Sequence, residues 1–167
     1  MFALYEGLVH IELCKTSENN DYIKRIESSI DLFRKWSKSC PQNFSNKLAL
    51  LEAEYLALKN DSSDERIVQA YNKAINLSKQ NNFINETAIS CEKAGSYLLS
   101  SKSADPKDFF CRAFIFYKQW GANVKMIEME KLYPTYLSDM SSANEDRPIE
   151  TSDVEIISTV SELTSPS

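Results

Sequence analysis

The sequence predicts an all-α fold, a right-handed superhelix of antiparallel helical hairpins followed by a disordered acidic tail. Three observations carry this. Only 3 Gly and 5 Pro occur in 167 residues, too little punctuation for a many-turned β fold. Apolar residues recur at intervals of three and four along most of the chain, which marks one face of a helix. Related stretches also return at a spacing of about 39 residues, the signature of stacked two-helix units. With 43% hydrophobic residues the chain can bury a core suited to one domain.

The elements follow in order. "FALYEGLVHIELCK" sets Phe2, Tyr5, Leu8 and Val9 on a helix, and "DYIKRIESSIDLFRKWSKSC" sets Ile23, Ile26, Ile30 and Phe33 on a second. The polar loop "TSENN" joins them into a hairpin. "NFSNKLALLEAEYLALK" places Leu48, Leu51, Tyr55 and Leu58 on one face. "NDSSD" is a loop that offers several N-caps. "ERIVQAYNKAINLSKQ" gathers Ile67, Ala70, Tyr71, Ala74 and Ile75, and after the turn "NNF" the pattern resumes at Ile84, Ala88, Cys91, Gly95 and Leu98. Pro106 suits the first turn of the next helix. There Phe110, Phe114, Tyr117 and Trp120 are expected to fill the seam between adjacent hairpins rather than line a ligand site. Gly121 is the residue type that ends a helix in the left-handed region. "ANVKMIEMEKLY" is the seventh and last helix, closed by Pro134.

The repeat is legible by alignment. Moving forward 39 positions carries Ala74 to Ala113, Lys79-Gln80 to Lys118-Gln119 and Phe83 to Ala122. The same shift carries Phe44 to Phe83 and Asn46 to Asn85. The domain is thus placed at residues 1–134 and the tail at 135–167. In the tail 12 of 33 residues are Ser or Thr, with Tyr136 the one aromatic, a composition that cannot bury enough apolar area to order itself. Within it "DVEIISTVSEL" holds Ile156, Val160 and Leu163 at helical spacing, a short helix in want of a partner.

Charge divides along the same boundary. The tail carries seven acids and one base, a net −6, so the remainder of the −5 chain is +1. No basic stripe for nucleic acid is present. No run approaches the ~18 apolar residues of a membrane helix. "MFALYEGLVHIELCK" has no basic start and is not read as a signal peptide. The four cysteines, Cys14, Cys40, Cys91 and Cys111, form no CxxC pair and a single His10 offers no second nitrogen, so no metal site is expected. Free cysteines fit a reducing, cytoplasmic setting, in which the sequons at Asn43, Asn60, Asn76 and Asn85 are coincidental.

Candidate chemistry is sparse. Glu52 and Glu54 are near in sequence, but acid–base work needs a desolvated carboxyl, and a solvated or inter-helix contact is the expectation for Glu54. One histidine supports no triad. No catalytic or cofactor-binding residue is assigned. Asn46 and Asn85, matched by the 39-residue shift, are read as N-caps, with a groove-facing contact to a peptide backbone as the other reading. Lys47 and Lys125 nearby would add charge for an acidic partner, or receive the acidic tail itself.

Five pieces carry a resemblance: "YEGLV", "RKWSKSCPQNFSNKLALLEAEYLAL", "YNKAI", "NNFINETAISCEKAG" and "FYKQWGANVKMIEMEKLYP". Over roughly residues 2–134 they resemble the tetratricopeptide-like helical region of very large signalling proteins. In that family the region stands among a serine/threonine-kinase-like domain, an AAA-type ATPase, a GAF domain and a histidine kinase. The resemblance implies a non-catalytic interaction and relay module whose protein partners include ATPase or kinase domains. The alternative is a free-standing adaptor that binds a peptide in its concave groove. The chain itself lacks the P-loop, since Gly7, Gly95 and Gly121 are scattered, and it lacks the kinase H-R-D and D-F-G loops.

Overall fold

The computed structural model describes residues 2–17 and 19–141. Among these the chain is all-α, with eight helices: α1 Phe2–Thr16, α2 Asn20–Ser39, α3 Pro41–Lys59, α4 Asp64–Gln80, α5 Ile84–Ser101, α6 Lys107–Trp120, α7 Asn123–Leu132 and α8 Pro134–Ser141. Local chemistry fixes the ends. The Asn19 side chain accepts from the Asp21 N–H and starts α2; Ser63 accepts from the Arg66 N–H and starts α4. Pro41, with no N–H to lose, is the first residue of α3.

Each helix packs on the next across connections of one to five residues. In addition α1 touches α3, and α3 touches α5, whereas α2 and α4 do not approach one another. Helices α1, α3 and α5 therefore form a closed layer, and farther along it is α6 and α8 that touch. Helices α2 and α4 splay and leave an open depression of about 620 Å3 over the outer side of α3, rimmed by Arg34, Glu52, Tyr55 and Arg66. Helix α3 lies between α1, α2, α4 and α5, which is why it buries residues all round rather than on a single stripe: Asn46, Lys47, Leu50, Leu51 and Glu54 among them.

The repeat is visible in burial. Ile67, Tyr71, Ala74, Ile75 and Ser78 are buried in α4, and 39 residues on, Pro106, Phe110, Ala113, Phe114 and Tyr117 are buried too. The turn that follows is also duplicated. The Asn82 N–H donates to Lys79 O and the Phe83 N–H to Ser78 O; 39 positions later Gly121 donates to Lys118 O and Ala122 to Tyr117 O. Asn82 and Gly121 both take positive φ, 57° and 76°. This is one Schellman closure written twice. Between α3 and α5 the burial spacing is 40, not 39: Asn46, Lys47, Leu50, Leu51 and Glu54 correspond to Glu86, Thr87, Ser90, Cys91 and Ala94.

A tyrosine bridges each of four successive helix pairs by donating to a carboxylate. Tyr55 bonds Glu27 at 2.6 Å (α3 to α2), and Tyr71 bonds Glu54 at 2.6 Å (α4 to α3). Tyr97 bonds Asp64 (α5 to α4), and Tyr117 bonds Glu92 at 2.6 Å (α6 to α5).

Three expectations are corrected. In α1 the inward residues are Leu4, Leu8 and Ile11, while Tyr5 and Val9 face outward; Glu6, His10, Glu12 and Lys15 are spread round the helix and mark no single polar side from which to tell its buried one. Phe110, Phe114 and Tyr117 are core, but Trp120, at the last position of α6, is 49% exposed. Pro134 does not close the fold. It opens α8, the eighth helix, whose Leu137 is fully buried and whose Tyr136 ring lies 5.5 Å from Phe110. Residues 135–141, assigned to the tail, are thus part of the packed unit. The rest of the expected tail, with Ile156, Val160 and Leu163, lies outside the described residues.

Candidate functional site

The face of α1, α3 and α5 is where the sequence placed a partner groove, and the structure fills it with charge pairs. Glu54 is buried in α3. Its Oε1 accepts from Tyr71, and its Oε2 lies 3.9 Å from Lys15 Nζ and 3.8 Å from Lys93 Nζ. Glu12 completes the group. It pairs with Lys15 at 3.0 Å within α1 and bonds Lys93 of α5 directly. Long side chains of α1 and α5 thus meet across α3, although the two backbones do not approach one another.

The electrostatics follow the geometry. Burial pushes the Tyr71 phenol up, and the Glu54 carboxylate beside it pushes it further, well above the ordinary value. Burial would lower the Lys93 ammonium, but Glu54 and Glu12 outweigh it and hold it above its ordinary value. Burial likewise works against the Glu12 carboxylate, and Lys93 and Lys15 overcome that to hold it below its usual range. Each group is thus locked in one protonation state near neutral pH. This is a structural clamp, unsuited to a proton donor that must cycle. Glu52, two residues away, points to the outer depression and pairs with Arg34 at 2.9 Å. The two glutamates form no acid pair.

The structure separates the four sequence candidates. Asn46 caps nothing: α3 begins five residues earlier, at Pro41, and Asn46 is buried with its Nδ2 donating to Ser78 Oγ at 3.3 Å. Its Oδ1 is buried and unbonded. Lys47, 5% exposed, lies 3.1 Å from Glu86 Oε1, donates to Asn43 O at 3.1 Å and sits 3.8 Å over the Phe83 ring. Asn85 is half-buried as the second residue of α5, whose N-cap is Phe83, so it too is no cap. Lys125, in α7, pairs with Glu92 of α5 at 2.9 Å and with Glu128 at 3.1 Å. Sequence reasoning missed Glu86, the residue that answers Asn46 under the 40-residue burial spacing. The signal was present as a second acid beside Asn85, but a one-residue change in spacing hid it.

The His10 Nδ1 contacts the Glu6 carbonyl oxygen at 2.7 Å, a bond within α1. Burial pushes the Cys91 thiol up to about 12, which suits a packed side chain and not a nucleophile. Among the described residues no three metal-ligating side chains gather, and no helix is long and apolar enough to cross a membrane. Compared with known proteins, the chain matches no family model, no curated protein and no solved structure.

Several large apolar side chains remain exposed. On α1, Tyr5, Val9 and Leu13 project at intervals of four, with Val9 55% exposed. On α7, Val124 is 82% and Ile127 51% exposed.

Proposed function

We propose that the chain is a non-catalytic interaction and relay module of the tetratricopeptide-like helical-repeat type, belonging to a cytoplasmic signal-transduction assembly of the kinase and ATPase class. The observation that carries this is the outward stripe Tyr5, Val9 and Leu13 of α1. A helix at the end of a stack needs a polar outer side to stand in water alone; this one offers an apolar side, the chemistry of a surface that packs on a neighbour. The relay part rests on the charge straps that tie α1 to α5 over α3, since they join helices whose backbones do not approach one another. The signalling setting rests on the resemblance of residues 2–134 to the helical region of such proteins. The groove-adaptor reading loses support, because Asn46 and Lys47 are turned inward onto Ser78 and Glu86.

The test is a binding assay between the purified chain and the AAA-type ATPase and kinase domains of its source cell. Binding by the native chain is expected, with loss in a Val9→Asp/Leu13→Asp variant of unchanged helicity. Equal binding by the variant, or none by the native chain, would overturn the reading.

A further inference from the structure

We infer that the apolar side of α1 receives an amphipathic helix of a partner protein, one that carries an aspartate or glutamate among its apolar residues, and that Tyr5 donates to that carboxylate. The partner is the one the interaction reading above requires, and its chemistry rests on that reading. The tyrosine bridges share a direction. Tyr55 of α3 donates to Glu27 of α2, Tyr71 of α4 to Glu54 of α3, Tyr97 of α5 to Asp64 of α4 and Tyr117 of α6 to Glu92 of α5. Every one reaches back to the helix before its own. Tyr22 of α2 also turns back, its ring 5.7 Å from that of His10 in α1. Tyr5 is the tyrosine of α1; it is 40% exposed and makes no hydrogen bond among the described residues.

One side of α3 is covered by the helix before it. There Phe44 packs on Phe33 and Trp36 with ring centres 6.2 and 5.3 Å apart, Glu52 pairs with Arg34 and Tyr55 bonds Glu27. Helix α1 uses two of its sides within the stack: Glu6 and His10 meet Arg25 and Tyr22 of α2, and Lys15 approaches Glu54 of α3. The remaining side holds Tyr5, Val9 and Leu13. Residues four apart make a ridge along the axis, which packs into the groove of another helix, as α3 packs on α2. Val9 and Leu13 supply the apolar contact. The Tyr5 hydroxyl sets the polar requirement, since a phenol covered by a partner without an acceptor gives up its bond to water for nothing. Burial and then the Glu86 carboxylate hold that phenol above its ordinary value, so it is a donor near neutral pH and calls for an acceptor. The acids around it are already paired, Glu6 with Arg25, Glu12 with Lys15 and Lys93, and Glu86 with Lys47. An incoming carboxylate therefore meets no uncompensated acid among them.

Titration calorimetry of the full chain against the AAA-type ATPase and kinase domains of its source cell tests this with Tyr5→Phe, which keeps the ring and removes the hydroxyl. Tyr5→Phe is expected to weaken binding by about tenfold or more, the cost of a lost bond to a charged acceptor, with helicity unchanged. The acids of the bound domain are then changed in turn to Asn or Gln. One such variant is expected to bind the native and Tyr5→Phe chains equally, the non-additivity of a bonded pair. Equal binding by the native and Tyr5→Phe chains, or the lack of any coupled carboxylate, overturns the inference and leaves the interaction reading standing. No binding by the native chain overturns both. Sedimentation of the chain alone is expected to show a monomer; a dimer abolished by Val9→Asp/Leu13→Asp would assign the side to a second copy and overturn the partner helix.

Discussion

Lys47 shows how one side chain can be held in an apolar interior. Its ammonium is satisfied by Glu86, the Asn43 carbonyl and the face of Phe83. Glu86 is as deeply buried, and neither of its oxygens accepts a well-formed hydrogen bond, so the lysine 3.1 Å away is its compensation. Lys47→Met is therefore expected to destabilise the fold by about 3–5 kcal/mol, the penalty of a stranded buried charge, while Lys47→Met/Glu86→Leu recovers most of it. Urea titration of the three proteins measures both steps, and a double variant no better than the single would refute the account. Gly95 poses a steric case. A Cβ there would stand 2.8 Å from the Phe110 ring, and that ring is stacked at 3.9 Å on Tyr133 and has no room to retreat. Gly95→Ala is expected to destabilise by about 1–3 kcal/mol through overpacking, against the helix propensity of Ala. At Gly7 the obstacle is the flexible end of Leu51, so Gly7→Ala should be the milder change by the same melt.

At the scale of helices, the turns are where local chemistry is least settled. Asn82 and Lys102 hold φ of 57° and 56°, a region that charges a non-glycine residue about 1 kcal/mol. Asn82→Gly and Lys102→Gly are expected to raise stability by up to that amount, the lysine more than the asparagine, since Asn tolerates the left-handed region better. Thermal melts check both. The elements themselves were largely legible: the inward sets of α2, α4 and α6 follow from three- and four-residue spacing, because those helices have one wet side. That rule fails for α1 and α7, whose polar residues are spread round the helix, and for α3, which has almost no wet side. The helix start at Pro41 is hidden by the Asn- and Ser-rich run after it, which is why the sequence reads Asn46 as an N-cap. The site was less legible than the fold, because Glu86, Glu54 and Lys93 are joined by tertiary approach and not by spacing along the chain.

For the whole molecule, the tyrosine bridges make alkaline stability a collective property. Burial and the partner carboxylate, Glu27 or Asp64, push the Tyr55 and Tyr97 phenols up to about 12, and Tyr71 goes well beyond its ordinary value. An unfolded phenol ionises near pH 10. Between pH 10 and 12 the unfolded chain therefore holds fewer protons than the native one, so stability is intact below 10 and falls as pH rises through that window. Absorbance titration should show these phenols ionising together with the loss of helical circular dichroism, and independent ionisation of a still-helical chain would refute the coupling. The two sides of the stack also differ in kind. The side formed by α1, α3 and α5 is laced shut by Glu12, Lys15, Glu54 and Lys93, while the opposite side is open between α2 and α4. Such a body has one soft direction. Like a book bound along its spine, it can spread or close its outer gap at little expense, but it resists any bend that would stretch the bound edge. Under the relay proposed above, a push received at α1 is expected to emerge beyond α5 as rotation about that edge.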